Sequence, residues 1–177
     1  IQLPNRDKKD SVGICFVGER NMKDFLNRFI DFEPGPIMDD SNNIIGEHHG
    51  SLLYTIGQRQ GLRIGGVKDM PDLPWYVYKK DQKNNSLYVC QGEDNPLLFS
   101  KGLTLERLHW ITDEFSGQLE CEVQVRHRHK PVKCILDVNE LEVRFDEEIR
   151  AITPGQSAVF YLDNICLGGG IIADQIN

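Results

Sequence analysis

No two cysteines in this 177-residue chain stand at the C-x-x-C spacing of a zinc pair. The five it has, Cys15, Cys90, Cys121, Cys134 and Cys166, are odd in number and widely and irregularly spaced. That usage speaks against a disulfide framework and points to a reducing, intracellular compartment. No apolar run approaches the ~20 residues needed to span a bilayer, and the first residues lack the basic-then-apolar layout of a signal peptide. Internal repeats and low-complexity tracts are absent. So is the Gly-Lys-Ser/Thr ending of a phosphate loop, and no nucleoside triphosphate site is expected within the chain. Nothing ties a Ser-His-Asp set together. The chain opens on Ile rather than Met, as expected of a processed, truncated or engineered start. A formal net charge of -7 excludes a surface that is basic throughout, though not a single positive face.

The hydrophobic content is 40%, enough to bury a real core in one or two domains. Met22, Phe25, Leu26, Phe29 and Ile30 recur at helical spacing, with Asn21 as cap, Asp24 in the first turn and Pro34-Gly35-Pro36 as the stop. This predicts one helix. From there the pattern is β. Ile44-Ile45 reads as a short strand, and Trp75–Tyr78 and Leu87–Cys90 read as a hairpin across residues 81–85. Asn95-Pro96 and Ser100-Lys101-Gly102 mark a boundary. Beyond it, Leu119–Val125, Leu141–Phe145, Ser157–Leu162 and Cys166–Ile172 alternate or cluster as short strands between turns. The expected fold is mainly β with one helix: a small central α+β domain over 1–97, then a compact C-terminal β-barrel over 98–177.

Three stretches carry residues suited to chemistry or recognition. Cys15 sits in the apolar run Val12-Gly13-Ile14-Cys15-Phe16-Val17-Gly18, flanked by Lys8, Lys9 and Arg20. Packing in a buried strand explains it, and so does a thiol given an approach route and nearby positive charge. Residues 126–133 read Arg-His-Arg-His-Lys-Pro-Val-Lys. If the strand through Val125 continues, Gln124, Arg126, Arg128 and Lys130 share its outer face, with Cys121, Val123 and Val125 inward. Such a face suits phosphates, and it equally suits a solvated edge strand. Tyr54, Gln58 and Arg59 lie in a glycine-bounded loop fit to stack on and hydrogen-bond a nucleotide, or to form an ordinary turn. His48-His49 point to opposite faces of a strand, and His127 with His129 offers only two ligands, so no metal site is expected.

Taken together, four blocks resemble the tRNA-specific 2-thiouridylase family. They are Lys9-Asp10-Ser11-x-Gly13-Ile14-Cys15-Phe16; His49-Gly50-x-x-x-Tyr54-Thr55-Ile56-Gly57-Gln58-Arg59-x-Gly61-Leu62; Ala151-x-Thr153-Pro154-Gly155-Gln156; and Cys166-Leu167-Gly168-Gly169-Gly170-Ile171-Ile172. The resemblance implies a sulfurtransferase that places sulfur at C2 of the wobble uridine of tRNA. Cys15 matches the persulfide-bearing cysteine. ATP, with magnesium, activates the base in an N-terminal domain that also holds a second cysteine; this chain is expected to bind no cofactor and to be inactive alone. Arg126, His127, Arg128, Lys130 and Gln156 match the tRNA-contacting segment, His127 standing where the family has tyrosine. The implied partners are tRNA and a persulfide-donor protein, with neither membrane nor DNA, in the cytoplasm of a bacterial-like cell or alternatively in mitochondria. The rival expectation is a non-catalytic β-barrel adaptor for RNA or protein, its cysteines merely structural.

Overall fold

The computed structural model describes residues 25–66, 70–127 and 129–177. The Cys15 run, the start of the expected helix and Arg128 lie outside them. Phe25 and Leu26 are helical, residues 27–29 form a turn, and the Ile30 N–H donates to the Leu26 carbonyl at 3.0 Å. No helix of seven or more residues occurs among the described residues. The apolar face expected to run through Ile30 is open at this end, with Phe29 72% exposed. The chain leaves the helix early because it must extend into a strand. Gly35 precedes a proline and is thereby held out of the helical region.

That strand is β1 (Gly35–Met38), which the sequence pattern presented only as a helix stop. It joins β2 (Ile44–His48), β3 (Trp75–Asp81) and β4 (Ser86–Gln91) in a sheet of order β2-β1-β4-β3. β1 runs parallel to β4, while the β1–β2 and β3–β4 pairs are antiparallel. Ile37, Val77, Leu87 and Val89 are fully buried and form its core with Tyr54 and Leu62.

The remaining strands close a barrel. They are β5 (Phe99–Trp110), β6 (Gln118–Gln124), β7 (Val132–Asp137), β8 (Glu142–Arg150), β9 (Ser157–Leu162) and β10 (Ile165–Ile176), in the order β10-β5-β8-β7-β6-β9. Closure leaves no free sheet edge, so inward and outward residues alternate around the ring. Leu103, Val123, Leu136, Val143, Phe160 and Ile172 fill the interior without solvent exposure. The glycine triplet of β10 serves close approach. A Cβ at Gly168 would collide with the His109 carbonyl, and one at Gly170 with the Arg107 carbonyl, both on β5.

Cys121, Val123 and Val125 do point inward. β6, however, stops at Gln124, one residue before Val125, instead of running on to Lys130. Pro131 cannot donate to a ladder, and the Arg126 carbonyl accepts from the His129 N–H at 3.1 Å, which turns the chain back toward β7. Arg126, His127 and Lys130 therefore lie outside any strand and share no strand face.

A basic turn at one end of the barrel

Strand register decides what this turn meets. β6 runs antiparallel to β9, with Val123 opposite Phe160 and Gln124 opposite Val159. Continuing that register, the chain leaving β6 at Arg126 comes beside the chain entering β9 after Gln156. The two segments thus share one end of the barrel. Arg126 is half-buried, while His127, Lys130 and Gln156 are exposed.

Each segment is held by its own hydrogen bonds. Gln124 Nε2 donates to the His129 carbonyl at 2.6 Å, and its Oε1 accepts from the Tyr161 hydroxyl at 3.4 Å. On the other side, Gly155 N–H donates to the Ile172 carbonyl, Ile172 N–H donates back to the Gln156 carbonyl, both at 2.8 Å, and the Thr153 hydroxyl donates to the Ala151 carbonyl at 3.0 Å. The backbone on both sides of Gln156 is fixed while its side chain faces solvent. Hydrogen-bonded turns that present exposed His, Lys and Gln side chains can bind phosphate oxygens and sugar hydroxyls with less loss of backbone entropy than an open loop.

The loop around Tyr54 is built differently. Tyr54 is 7% exposed and packs in the sheet core, its ring 6.1 Å from that of His48 and its hydroxyl donating to the Gly61 carbonyl at 3.3 Å. Gln58 spends both ends of its amide locally. Its Oε1 accepts from Thr55 N–H at 3.0 Å and its Nε2 donates to the Gln60 carbonyl at 2.8 Å. Gly57 and Gln58 also pair with Val77 at the edge of β3. Lys80 Nζ, its pKa lowered by burial, donates to the Tyr54 carbonyl at 3.0 Å. Of the three side chains that the sequence singles out here, Arg59 alone projects into solvent.

His48, the last residue of β2, is fully buried, and His49, just past the strand, is exposed. The His48 Nδ1 accepts from Gly50 N–H at 3.0 Å, so Nε2 carries the proton and donates to the Asn85 carbonyl at 2.9 Å. Both ring nitrogens are committed to backbone. Among the described residues no group of three or more His, Cys, Asp or Glu side chains is placed to hold a metal ion, and no helix is long and apolar enough to cross a membrane.

Two features escaped the sequence pattern. Gln124 looked like one more outward polar residue; its role as the clasp of the turn depends on a register that only the closed barrel sets. Arg150, at the end of β8, stacks its guanidinium 5.0 Å from the centre of the Tyr76 ring and donates from Nε to the Glu93 carbonyl at 3.2 Å, joining barrel to sheet. No local pattern marks it.

Two family models match the chain, one described as a tRNA methyl transferase PRC-barrel domain over residues 23–91 and one as an aminomethyltransferase beta-barrel domain over residues 100–172. The tRNA-specific 2-thiouridylase MnmA of Serratia proteamaculans is 49% identical over 180 residues, covering 99% of this chain and 49% of that protein. The protein of the same name from Salmonella arizonae is 50% identical over 180 residues with the same coverage. The chain spans about half the length of the curated relatives it matches. Both matched segments belong to this one family, and the relatives align over nearly the whole chain: the chain belongs to the tRNA-specific 2-thiouridylase family.

Proposed function

We propose that this chain is the sulfur-carrying and tRNA-positioning part of a tRNA 2-thiouridylase, a sulfurtransferase acting on C2 of the wobble uridine. One observation carries the reading: near-continuous 49% identity to proteins of that name, across 99% of the chain. The barrel geometry supports it, because the fixed turns at residues 126–130 and 153–156 present cationic and amide side chains at one end.

Cys15 is the proposed persulfide carrier. Its terminal sulfur attacks C2 of the uridine after ATP has adenylated the C2 oxygen; a C–S bond forms, the C–O bond breaks and AMP leaves. A second thiol then attacks the Cys15 sulfur, the S–S bond breaks, and the new sulfur stays on the base while the two cysteines are left as a disulfide. A persulfide from a donor protein starts the cycle. On this reading ATP and magnesium act in an N-terminal domain of the whole enzyme, as the family resemblance implies. Arg126, His127, Arg128, Lys130 and Gln156 grip the RNA. Arg59 is a further candidate contact on the loop that Tyr54 and Gln58 hold in shape. The relatives are bacterial, and a cytoplasmic location follows for an enzyme of tRNA.

The test is Cys15→Ser in the full-length enzyme, with 2-thiouridine measured by nucleoside mass spectrometry. Thiolation is lost if Cys15 carries the sulfur. Normal thiolation by the serine variant returns the chain to the adaptor reading.

A further inference from the structure

The barrel holds a second pair of sulfurs. Cys121 on β6 and Cys134 on β7 are direct cross-strand partners, thirteen positions apart in sequence, and their Sγ atoms lie 3.7 Å apart. Neither Cys90 nor Cys166 has such a sulfur neighbour among the described residues. Directly opposed residues of antiparallel strands have Cα atoms about 4.5–5.5 Å apart, inside the range a disulfide spans. The two sulfurs need approach by only about 1.7 Å to reach bonding distance. Side-chain rotation covers much of that.

The pair is packed yet reachable. Cys121 is 6% and Cys134 3% exposed, both within the barrel core. Both line a cavity of about 630 Å³ whose wall also includes Glu120, Glu122, Lys133 and Asp146. A cavity of that volume admits a molecule as small as hydrogen peroxide. The sulfurs are also unequal. A hydrogen bond from the Cys134 thiol lowers the pKa of Cys121, and the same bond together with burial raises that of Cys134.

We infer that Cys121 and Cys134 are a redox-responsive pair, closed to a disulfide by hydrogen peroxide and opened again by a dithiol reductant. The Cys121 thiolate attacks one peroxide oxygen, the O–O bond breaks, and sulfenic acid and hydroxide form, the hydroxide taking up the proton that the Cys121 thiol released to give the first water. The Cys134 sulfur then attacks the sulfenic sulfur, forming the S–S bond. Hydroxide leaves and takes up the thiol proton as the second water. Two thiols lose two electrons and two protons, and one peroxide becomes two waters.

The consequence lies in the hairpin. Only the rungs Glu122–Lys133 and Val123–Val132 separate the pair from the basic turn. A covalent bond there ties β6 to β7 at the root of the turn and restricts its opening, whatever the turn binds. The inference therefore stands independently of the thiouridylase reading.

The test is graded hydrogen peroxide on the native full-length protein, followed by alkylation, peptide mapping and amide exchange. Peptides containing Cys121 and Cys134 should appear cross-linked to each other, disappear on treatment with dithiothreitol, and be absent from Cys134→Ser. Amides of residues 125–130 should exchange several-fold more slowly in the oxidised wild-type protein than in the reduced one. The inference is overturned if both thiols still alkylate after Cys166 has been oxidised, or if they form separate sulfinic acids. It is equally overturned if the cross-link forms only in urea, or forms and leaves exchange in the turn unchanged. The wild-type map requires no variant to fold.

Discussion

The amide of Gln124 bridges Tyr161 and His129, donating to the His129 carbonyl at 2.6 Å and accepting from the Tyr161 hydroxyl at 3.4 Å. Through it the basic turn is fastened to β9, the strand that follows Gln156. Gln124→Ala removes both bonds, which costs about 1 kcal/mol at a half-exposed site. The larger effect is local: amides 126–130 should exchange faster while the barrel core keeps its protection, as read by hydrogen exchange. Gln124→Glu keeps the length but loses the donor, and should loosen the turn as alanine does.

The RNA reading makes a separate demand on Arg126. Each arginine neutralising one phosphate contributes about one to the slope of log affinity against log salt. Arg126→Ala combined with Arg128→Ala should weaken tRNA binding and lower that slope by about two, as measured by filter binding across a salt series in the full-length enzyme. Glu142→Ala, on the far side of the hairpin and paired at 2.7 Å with Arg144, serves as a surface control and should leave the slope unchanged. A double-arginine variant with an unaltered slope would mean a solvated turn.

These two cases show how far the sequence could be read. Period-two alternation placed Cys121, Val123 and Val125 inward because a barrel interior accepts only apolar side chains, and that rule is local. Where β6 ends is not local. It depends on Pro131, on the Arg126–His129 turn and on Gln124 reaching back to close it, so the outward face expected through Lys130 became a turn instead. β1 was hidden by Pro34-Gly35-Pro36, which signals a helix stop equally well whether a loop or a strand follows. β5 was obscured by Glu106-Arg107, two polar residues in succession where the register shifts along β10. The Tyr54 loop looked like a recognition loop because aromatic, amide and glycine residues also build tight turns. Only burial of the tyrosine and the two internal bonds of Gln58 distinguish these.

Asp39, at the β1–β2 turn, contributes to acid stability. Burial pushes its carboxyl pKa up, but hydrogen bonds from the Asn43 side chain, the Asn43 N–H and the Ser41 N–H outweigh this and hold it below 3.8. The folded state therefore binds the proton more weakly than the unfolded chain. The stabilisation is fully present above the unfolded value of 3.8 and is lost as pH falls through the lower folded value. Asp39→Asn should cost about 2 kcal/mol at neutral pH, and the gap between variant and wild type should close in acid. Urea denaturation at pH 7 and at pH 3 measures both; a gap that stays constant would remove the charge from the explanation.

Gly57 is where the barrel touches the loop that carries Arg59. Its φ is +83°, and a Cβ there would stand 2.7 Å from the Cβ of Ala151 and 3.4 Å from Arg150 Nη1. Ala151 cannot easily retreat, because its own N–H donates to the Leu98 carbonyl at 2.7 Å. Gly57→Ala thus combines a left-handed backbone with a collision between two parts of the fold. Gly92 separates these costs. Its φ is +87°, yet nothing lies within 4 Å of its Cβ position. Gly92→Ala should lose about 1 kcal/mol from backbone conformation alone. Gly57→Ala should lose more, about 2–3 kcal/mol, and should release the Gly57 N–H bond to the Val77 carbonyl at 2.7 Å. Thermal unfolding of the two variants compares the totals, and hydrogen exchange at Gly57 reports the bond. Equal destabilisation by both substitutions would mean that the barrel yields at Ala151 and that the loop is not braced against it.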